Sequence, residues 1–500
     1  MNPEALPEAL PEKFGRDEWV AQVGGRQAAG NLPTRLLGRW NEVPIRWRFL
    51  ALLALGAVIP LLTHNDYYLR VVGTVWLFGA LAVGLNVVVG YAGLLDLGFV
   101  AFYGLGAYTY ALLSSGQFNI HLPSLLVLPV VAGVSILFGL LLGSPSLRLL
   151  GDYLAIVTLG FGLVFVQLGL NMDRVNVPWR DTPLNITGGS NGLINLDQLR
   201  FFGFSLTSVT NYYYALLVWL AIVLIVIYRL NESRFGRAWR AMREDSLAAE
   251  AMGLPTKRLK LFAFATGATV AGVTGAIFAA WQHSVFPNNF DTNLLINLYA
   301  MVVLGGVGSL PGVVLGAGIL SVVPELLRSP ELARVLFYAC LALALLFLVR
   351  PRRNGLAVLA GVIGLGLVLR LAVQAVAPSL LSPPTIQVAA ASISSSFERA
   401  SQSFGVLIQK WLLLPKDPLL AGNLAFTLLV PALLGWARMA PGRWKTVALV
   451  PLMYLLAFVW ETRLSAEPAI TRLLLIGTLL VTLMIFRPHG LLGSRRVEII

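Results

Sequence analysis

The sequence predicts an all-α polytopic membrane protein. Three observations carry that reading. The 500 residues are 57% hydrophobic and only 12% charged, where a soluble domain carries about 25% charged residues. The apolar residues fall into repeated runs of about 20, the length that crosses a hydrocarbon core of about 30 Å. A membrane β-barrel alternates apolar and polar residues over segments of about ten, and the chain shows no such alternation.

Residues 1–48 repeat PEAL at Pro3 and Pro7 and then carry Arg35, Arg39, Arg46 and Arg48. They hold no short apolar core followed by a small-residue cleavage site, so they read as a polar tail and not as a signal peptide. About fourteen candidate spans follow. They begin near Phe49, Leu69, Leu94, Leu122, Asp152, Tyr212, Phe262, Thr292, Leu310, Val335, Gly355, Leu420, Val447 and Ile470. With the N-terminus placed inside, inner segments hold 25 of the 37 Lys and Arg, outer segments hold 11, and Arg370 falls within a span. The positive-inside rule then predicts both termini in the cytoplasm. The same distribution accounts for the net charge of +13 without a nucleic-acid partner. The outer segment 171–211 contains TPLNITGGSNGL, whose Gly, Asn and Thr favour turns and a compact cap.

The inner segment 229–260 is the most polar part of the chain after the tail. Arg237, Arg240 and Arg243 recur every three residues and share one face of a helix. Ala238, Ala241, Ala248, Ala249 and Ala251 are small enough for close packing on a partner. Gly253 and Pro255 end the helix. Such a helix has little apolar surface with which to bury itself. It reads either as a solvated basic helix near anionic lipid or as a docking helix for a cytoplasmic protein.

Catalytic signatures are missing. No GxxxxGK[ST] occurs, so the chain has no nucleotide-binding P-loop. The four histidines have no metal-ligand spacing, and Cys340 has no partner for an internal disulfide. The glycine run at 304–315 fits close helix packing or a helix break. Asn86 and Asp96 lie within or beside spans. Asp96 reads as a helix cap after the break at Gly90–Gly93, or as a pathway residue in a discontinuous helix. The segments 334–356 and 472–492 both end an apolar run in Arg-Pro followed by Gly-Leu. That repeat reads either as two ordinary spans with basic ends or as the mark of an insertion over 351–469.

GRAWRAMRED at 236–245, followed by Ala248-Ala249 and Gly253-Leu254, resembles the cytoplasmic loop of ABC-importer permeases. More narrowly it is similar to the LivM-type permeases of branched-chain amino acid transporters. Their EAA---G pattern falls on Leu247, Ala248, Ala249 and Gly253, with Leu247 where the general motif has Glu. GLNVVVGYAGLLDLG at 84–98, AYTYALL at 107–113, LGGVGSLPGVVLG at 304–316 and FRPHGLL at 486–492 resemble other segments of that family. The resemblance covers about 49–350 and 470–493 and leaves 351–469 as an atypical membrane insert.

The resemblance implies an ABC-importer permease of LivH/LivM type, for branched-chain or other neutral amino acids, in a bacterial inner membrane. It implies a permease core over 49–350 and a terminal span and tail over 470–500. It implies a LivH-like second permease, two cytoplasmic ATPase subunits that bind ATP and Mg, and a periplasmic or surface substrate-binding protein. This chain itself would carry no cofactor. ATPase docking would fall to Gly236, Arg237, Arg240, Ala241, Arg243, Glu244, Asp245, Ala248, Ala249, Gly253 and Leu254. Asn86, Asp96, Gly305, Gly306 and Gly308 are the candidates for the translocation path. A urea or short-amide permease of the same fold, an ion-coupled secondary transporter and a membrane scaffold remain open at this point.

Overall fold

The computed structural model of the chain describes residues 45–376 and 411–466, apart from 64, 116–117, 119, 147–151, 177–182, 202–203, 329, 349–351, 414 and 440–441, together with 477 and 490–492. It falls into two units, Met1–Thr63 and His64–Ile500. The first contributes α1 (Ile45–Leu62).

The second unit is almost wholly helical. In order come α2 (Asp66–Asn86), a π-turn (Val87–Tyr91), α3 (Phe99–Leu113), α4 (Ser124–Ser146), α5 (Asp152–Asn171) and α6 (Val209–Glu232). Then follow α7 (Arg234–Glu244), α8 (Ser246–Ala251), α9 (Thr256–Gln282), α10 (Thr292–Gly305), α11 (Leu310–Leu326), α12 (Pro330–Leu348), α13 (Arg352–Val376), α14 (Pro418–Arg438) and α15 (Arg443–Ala466). Helices stand at the expected positions up to the one near Val447; the segment from Ile470 lies outside the described residues. Among the described residues, 8 helices are long and apolar enough to cross a membrane, fewer than the fourteen segments that hydropathy marks. The difference has a local cause at the third segment. Its helix begins at Phe99 and not near Leu94, because Gly93 has φ +69° and the chain runs without helix through to Gly98. Phe99–Leu113 and Leu310–Leu326 are apolar but short.

The core is built around α9 and α2, whose apolar windows are 72% and 78% buried, against 22% for α4 and α5. Most of the surface of α4 and α5 is therefore left exposed by this chain. Small residues let α9 approach α3 backbone to backbone: Gly275 lies against the Tyr103 carbonyl, and Gly106 against that of Gly272. This is the packing expected where lipid tails supply no hydrophobic drive and van der Waals contact must do it. An aromatic cluster of Tyr103, Tyr108, Phe165, Phe278 and Phe290 fills the space between α3, α5 and α9. Trp219 on α6 donates to Thr274 Oγ1 at 2.9 Å, and Tyr212 to the Ala280 carbonyl at 3.0 Å.

The described residues between 172 and 208 form a turn-rich cap. Its strand β3 (Leu193–Ile194) pairs antiparallel with β6 (Ser284–Val285), Leu193 opposite Val285. Two further short ladders join β1 (Ser114–Ser115) to β2 (Ile120–His121) and β4 (Arg200–Phe201) to β5 (Phe204–Ser205). Asp197 gathers the cap: its amide donates to the Ser114 carbonyl at 2.8 Å, its carbonyl accepts from Tyr110 Oη at 2.8 Å, and its carboxylate meets His121 Nδ1 at 2.6 Å. The cap precedes α6 and α7 follows it. The 24 residues of α6 hold the two ends roughly 36 Å apart.

Of the helices after α12, α13 and α15 pack on it, and α14 packs on α15. Leu345 of α12 joins Val358 and Val362 of α13 and Leu449, Tyr454 and Ala457 of α15 in one apolar cluster. Phe337 stacks on Trp460 at 4.3 Å and 6°. Beside them Arg334 Nε meets Glu461 Oε1 at 2.8 Å, with side-chain exposures of only 10% and 2%. Breaking a buried pair strands a charge, at about 3–5 kcal/mol. Glu461→Leu should therefore lower the thermal stability of the detergent-solubilised protein by that order. The pair Arg334→Met with Glu461→Leu should recover most of it, since apolar replacement of a buried pair is often neutral.

Candidate functional site

Two helix ends and the α7–α8 hairpin meet at one place. α2 loses its α-helical register at the π-turn Val87–Tyr91. α10 stops at Gly305, and Gly306 and Gly308 take φ of +110° and +90° before Ser309 caps α11 by accepting from the Gly312 amide at 3.2 Å. The Asn86 side chain, fully buried, links the two breaks: its Oδ1 accepts from the Gly308 amide at 2.8 Å. Gly90 sits over this bond, where a Cβ would run into Asn86 Oδ1. Arg243 of α7 closes the set by donating from Nη1 to the Gly90 carbonyl.

Backbone carbonyls at the end of α10 are paired as well. Leu491 and Leu492 donate to the Leu304 and Gly305 carbonyls at 2.9 and 3.1 Å, which caps the end of α10. Gly490 reaches this turn with φ +76°. The similar Gly355-Leu356 lies inside α13 instead, so the two look-alike Gly-Leu pairs have different backbones. Gly305 and Gly312 lie against each other's carbonyls where α10 crosses α11.

Asp96 belongs to a neighbouring set. It is 1% exposed. Its Oδ1 accepts from the Gly98 amide at 3.0 Å, a turn that precedes α3. The N-cap of α3 is Gly98, with no side-chain cap bond, so Asp96 is not the solvated helix cap that the sequence suggests. Its carbonyl accepts from Tyr299 Oη at 2.6 Å, and the next amide, of Leu97, donates to Thr158 Oγ1 at 2.9 Å. Asp96 Oδ2 is buried without a hydrogen-bond partner.

The hairpin itself is more deeply anchored than its polarity predicts. Ser233 forms the joint after α6: its Oγ accepts from the Phe235 amide at 3.2 Å and donates to the Leu230 carbonyl at 2.6 Å. Gly236 lets α7 fold back against the Asn231 carbonyl. Trp239 is fully buried, donates to the Leu259 carbonyl at 2.9 Å and stacks on Phe262 at 5.5 Å. Arg237 and Arg240 donate to the Glu232 and Asn231 carbonyls at 3.0 and 3.2 Å. These are last-turn carbonyls of α6, where cations are favoured. The helix thus does bury itself in its own fold, through Trp239 and Met242.

Asp245 starts α8 by accepting from the Leu247 and Ala248 amides at 2.8 and 3.0 Å. Ala249 is buried at 5% and its carbonyl accepts from the Leu254 amide at 3.0 Å. Of the alanine pair only Ala248 faces outward. Ala241, Glu244, Asp245 and Gly253 are also exposed, and Leu254 is half-buried. The largest exposed apolar groups are Leu247 at 78% and Met252 at 84%.

The sequence model described as "Branched-chain amino acid transport system / permease component" matches residues 67–349, more than half of the chain. The chain belongs to this permease family. It is 40% identical over 271 residues to the high-affinity branched-chain amino acid transport system permease protein LivM of Salmonella typhimurium, covering 50% of this chain and 60% of that one. It is 38% identical over 302 residues to LivM of Escherichia coli K12, covering 56% of this chain and 68% of that one. A 135-residue stretch is 33% identical to the permease protein LivH of Salmonella typhimurium, covering 26% and 43% of the two chains. No solved structure matches.

The matched residues of this permease run from α2 to α12 and contain the junction except for Gly490, Leu491 and Leu492. The family is one of transport permease subunits and is not enzymatic. Reading the sequence alone singles out Asn86, Gly308 and Arg243 but not Thr158, Tyr299, Trp239 or Met252. Trp239 had a signal, a lone indole in a helix otherwise rich in Arg and Ala; Thr158 and Tyr299 lie in ordinary spans and had none.

Gly253 has φ +84° and open space where a Cβ would stand. Its substitution therefore acts through backbone strain alone, about 1–2 kcal/mol for Ala and less for Asn. Hydrogen exchange of the Leu254 amide should quicken by about 5–30-fold in Gly253→Ala, and by less in Gly253→Asn.

Proposed function

We propose that this permease is a membrane subunit of an ATP-driven importer of branched-chain or other neutral amino acids. The observation that carries the reading is the direct bond from Arg243 of the α7–α8 hairpin to Gly90, beside the Asn86–Gly308 link. A motion imposed on the hairpin reaches both helix breaks through backbone contacts, without a flexible linker between them. Breaks of this kind are where transporters hold substrate, because irregular backbone at membrane depth persists only when buried or lining a cavity.

In this reading the hairpin faces the cytoplasm, with both termini on the same side of a bacterial inner membrane. Two ATPase subunits hold ATP and Mg, one of them seated on Leu247, Ala248 and Met252. A LivH-like permease completes the path and a soluble binding protein delivers substrate to the cap at 172–208. Asn86, Gly305, Gly306 and Gly308 shape the path wall, and Asp96 lies at its edge. The names of the LivM relatives support amino acids over urea or short amides and a pump over an ion-coupled carrier. One relative, at 26% identity, is named an autoinducer 2 import permease, LsrC of Yersinia enterocolitica, so an uptake panel should include that class.

Leu247→Glu with Met252→Glu should leave membrane insertion intact and weaken ATPase association at least ten-fold in pull-down from detergent, as for interface anchors. Arg243→Ala should keep the association and lose substrate uptake in proteoliposomes. Normal assembly of the first variant, or normal uptake by the second, removes the docking and coupling roles respectively. Cysteines placed at Ser190 and Ser246 should react with a membrane-impermeant thiol reagent from opposite sides; reaction from one side overturns the orientation.

A further inference from the structure

A groove of about 580 Å³ lies away from the junction, between α4, α6 and α9. Ile136 and Leu140 form one wall, Trp219 and Val226 the second, Phe262 and Thr266 the floor, and Arg258 stands at one end. Its volume is that of a small-molecule site, commonly about 300–1,000 Å³, yet its walls ask for nothing polar. Trp219 Nε1 is bonded to Thr274, Thr266 Oγ1 to the Phe262 carbonyl at 2.7 Å, and Thr269 Oγ1 to the Ala265 carbonyl at 2.6 Å. Water would find no partners there.

We propose that this groove holds an acyl chain of one anionic phospholipid, with the lipid phosphate on Arg258. The length argues for it. The α9 lining runs from Arg258 to Val270, about 18 Å of helix. That is somewhat more than half of a hydrocarbon core of about 30 Å, or one leaflet. The charge argues for it too. Arg258 lines the groove. The ends of α6 and α9 carry Arg229, Lys257, Arg258 and Lys260 against Glu232 and against Glu250, which accepts from Thr256 Oγ1 at 3.4 Å, and Lys257 and Arg258 are exposed. Basic pockets between transmembrane helices bind anionic head groups in this way. The groove is thus apolar over one leaflet and cationic at its head-group end, the pattern of a single lipid. It also spans α6 and α9, the two helices from which the α7–α8 hairpin hangs, so an occupant braces the hairpin from the membrane side. The site rests on the chain's spanning a membrane and not on what the permease carries.

Trp219 in the groove wall supplies the test. The full permease complex is placed in phosphatidylcholine vesicles, and phosphatidylglycerol or phosphatidylcholine with brominated acyl chains is added. Quenching that disappears in Trp219→Phe is the signal. Phosphatidylglycerol should quench Trp219 with about five-fold preference over phosphatidylcholine, as expected for one basic residue beside an anionic head group. Arg258→Glu should remove the preference, Arg258→Lys should keep most of it, and Thr266→Phe should abolish the specific quenching by filling the groove. Equal quenching by both lipids makes the groove a bulk-lipid face and overturns the proposal. No Trp219 quenching by either lipid means that another protein segment, such as a second permease, covers the groove, and overturns it equally.

Discussion

An amide or carbonyl released from a helix inside an apolar bundle has no water to bond, and leaving it unpaired costs several kcal/mol. This permease releases such groups at two breaks, after α2 and after α10, and most of what is distinctive in its interior answers them. Asn86 takes the Gly308 amide, Thr158 takes that of Leu97, and Tyr299 supplies a hydroxyl to the Asp96 carbonyl. Leu491 and Leu492 take the carbonyls at the end of α10. Glycine is required where the turn enters the positive-φ region, as at Gly308. A single constraint thus ties together residues from α2, α5, α10 and the last part of the chain.

The same constraint draws α7 into the membrane unit. Its arginines do not form a uniformly solvated face. Arg237 and Arg240 complete the end of α6, and Arg243 completes the end of α2. Trp239 locks the helix to α9 through its indole bond and its stack on Phe262. Leu247, Ala248 and Met252 are exposed beside Glu244, Asp245 and Glu250. One short hairpin thus buries Trp239, Met242 and Ala249 while its arginines reach carbonyls of α6 and the π-turn, and two large apolar side chains stay exposed on it.

The later helices obey ordinary packing rules. α13 and α15 add an apolar layer on α12, and the Arg334–Glu461 pair with the Phe337–Trp460 stack sets its register. A buried charge pair is a poor source of net stability, but it penalises every arrangement that leaves one partner alone. Residues 351–469 lie beyond the family match, yet α12 already carries the cation they need.

Hydropathy by itself determined where the helices stand, because each apolar run needs an apolar surround and the backbone can satisfy itself only as helix. Glycine and asparagine placed the turn-rich cap, and Gly253 placed the end of α8, for equally local reasons. The sequence could not show that the third segment starts at Phe99, that Ala249 faces inward, or which Gly-Leu pair forms a turn. Nor could it show that the arginines of α7 are committed to carbonyls of α6 and α2. The arginines alone find partners from 5 to 153 residues away in the chain, and a polar side chain carries no mark of which distant partner will claim it. Tertiary structure decided them, because only packing brings a released backbone group and its donor within bonding distance.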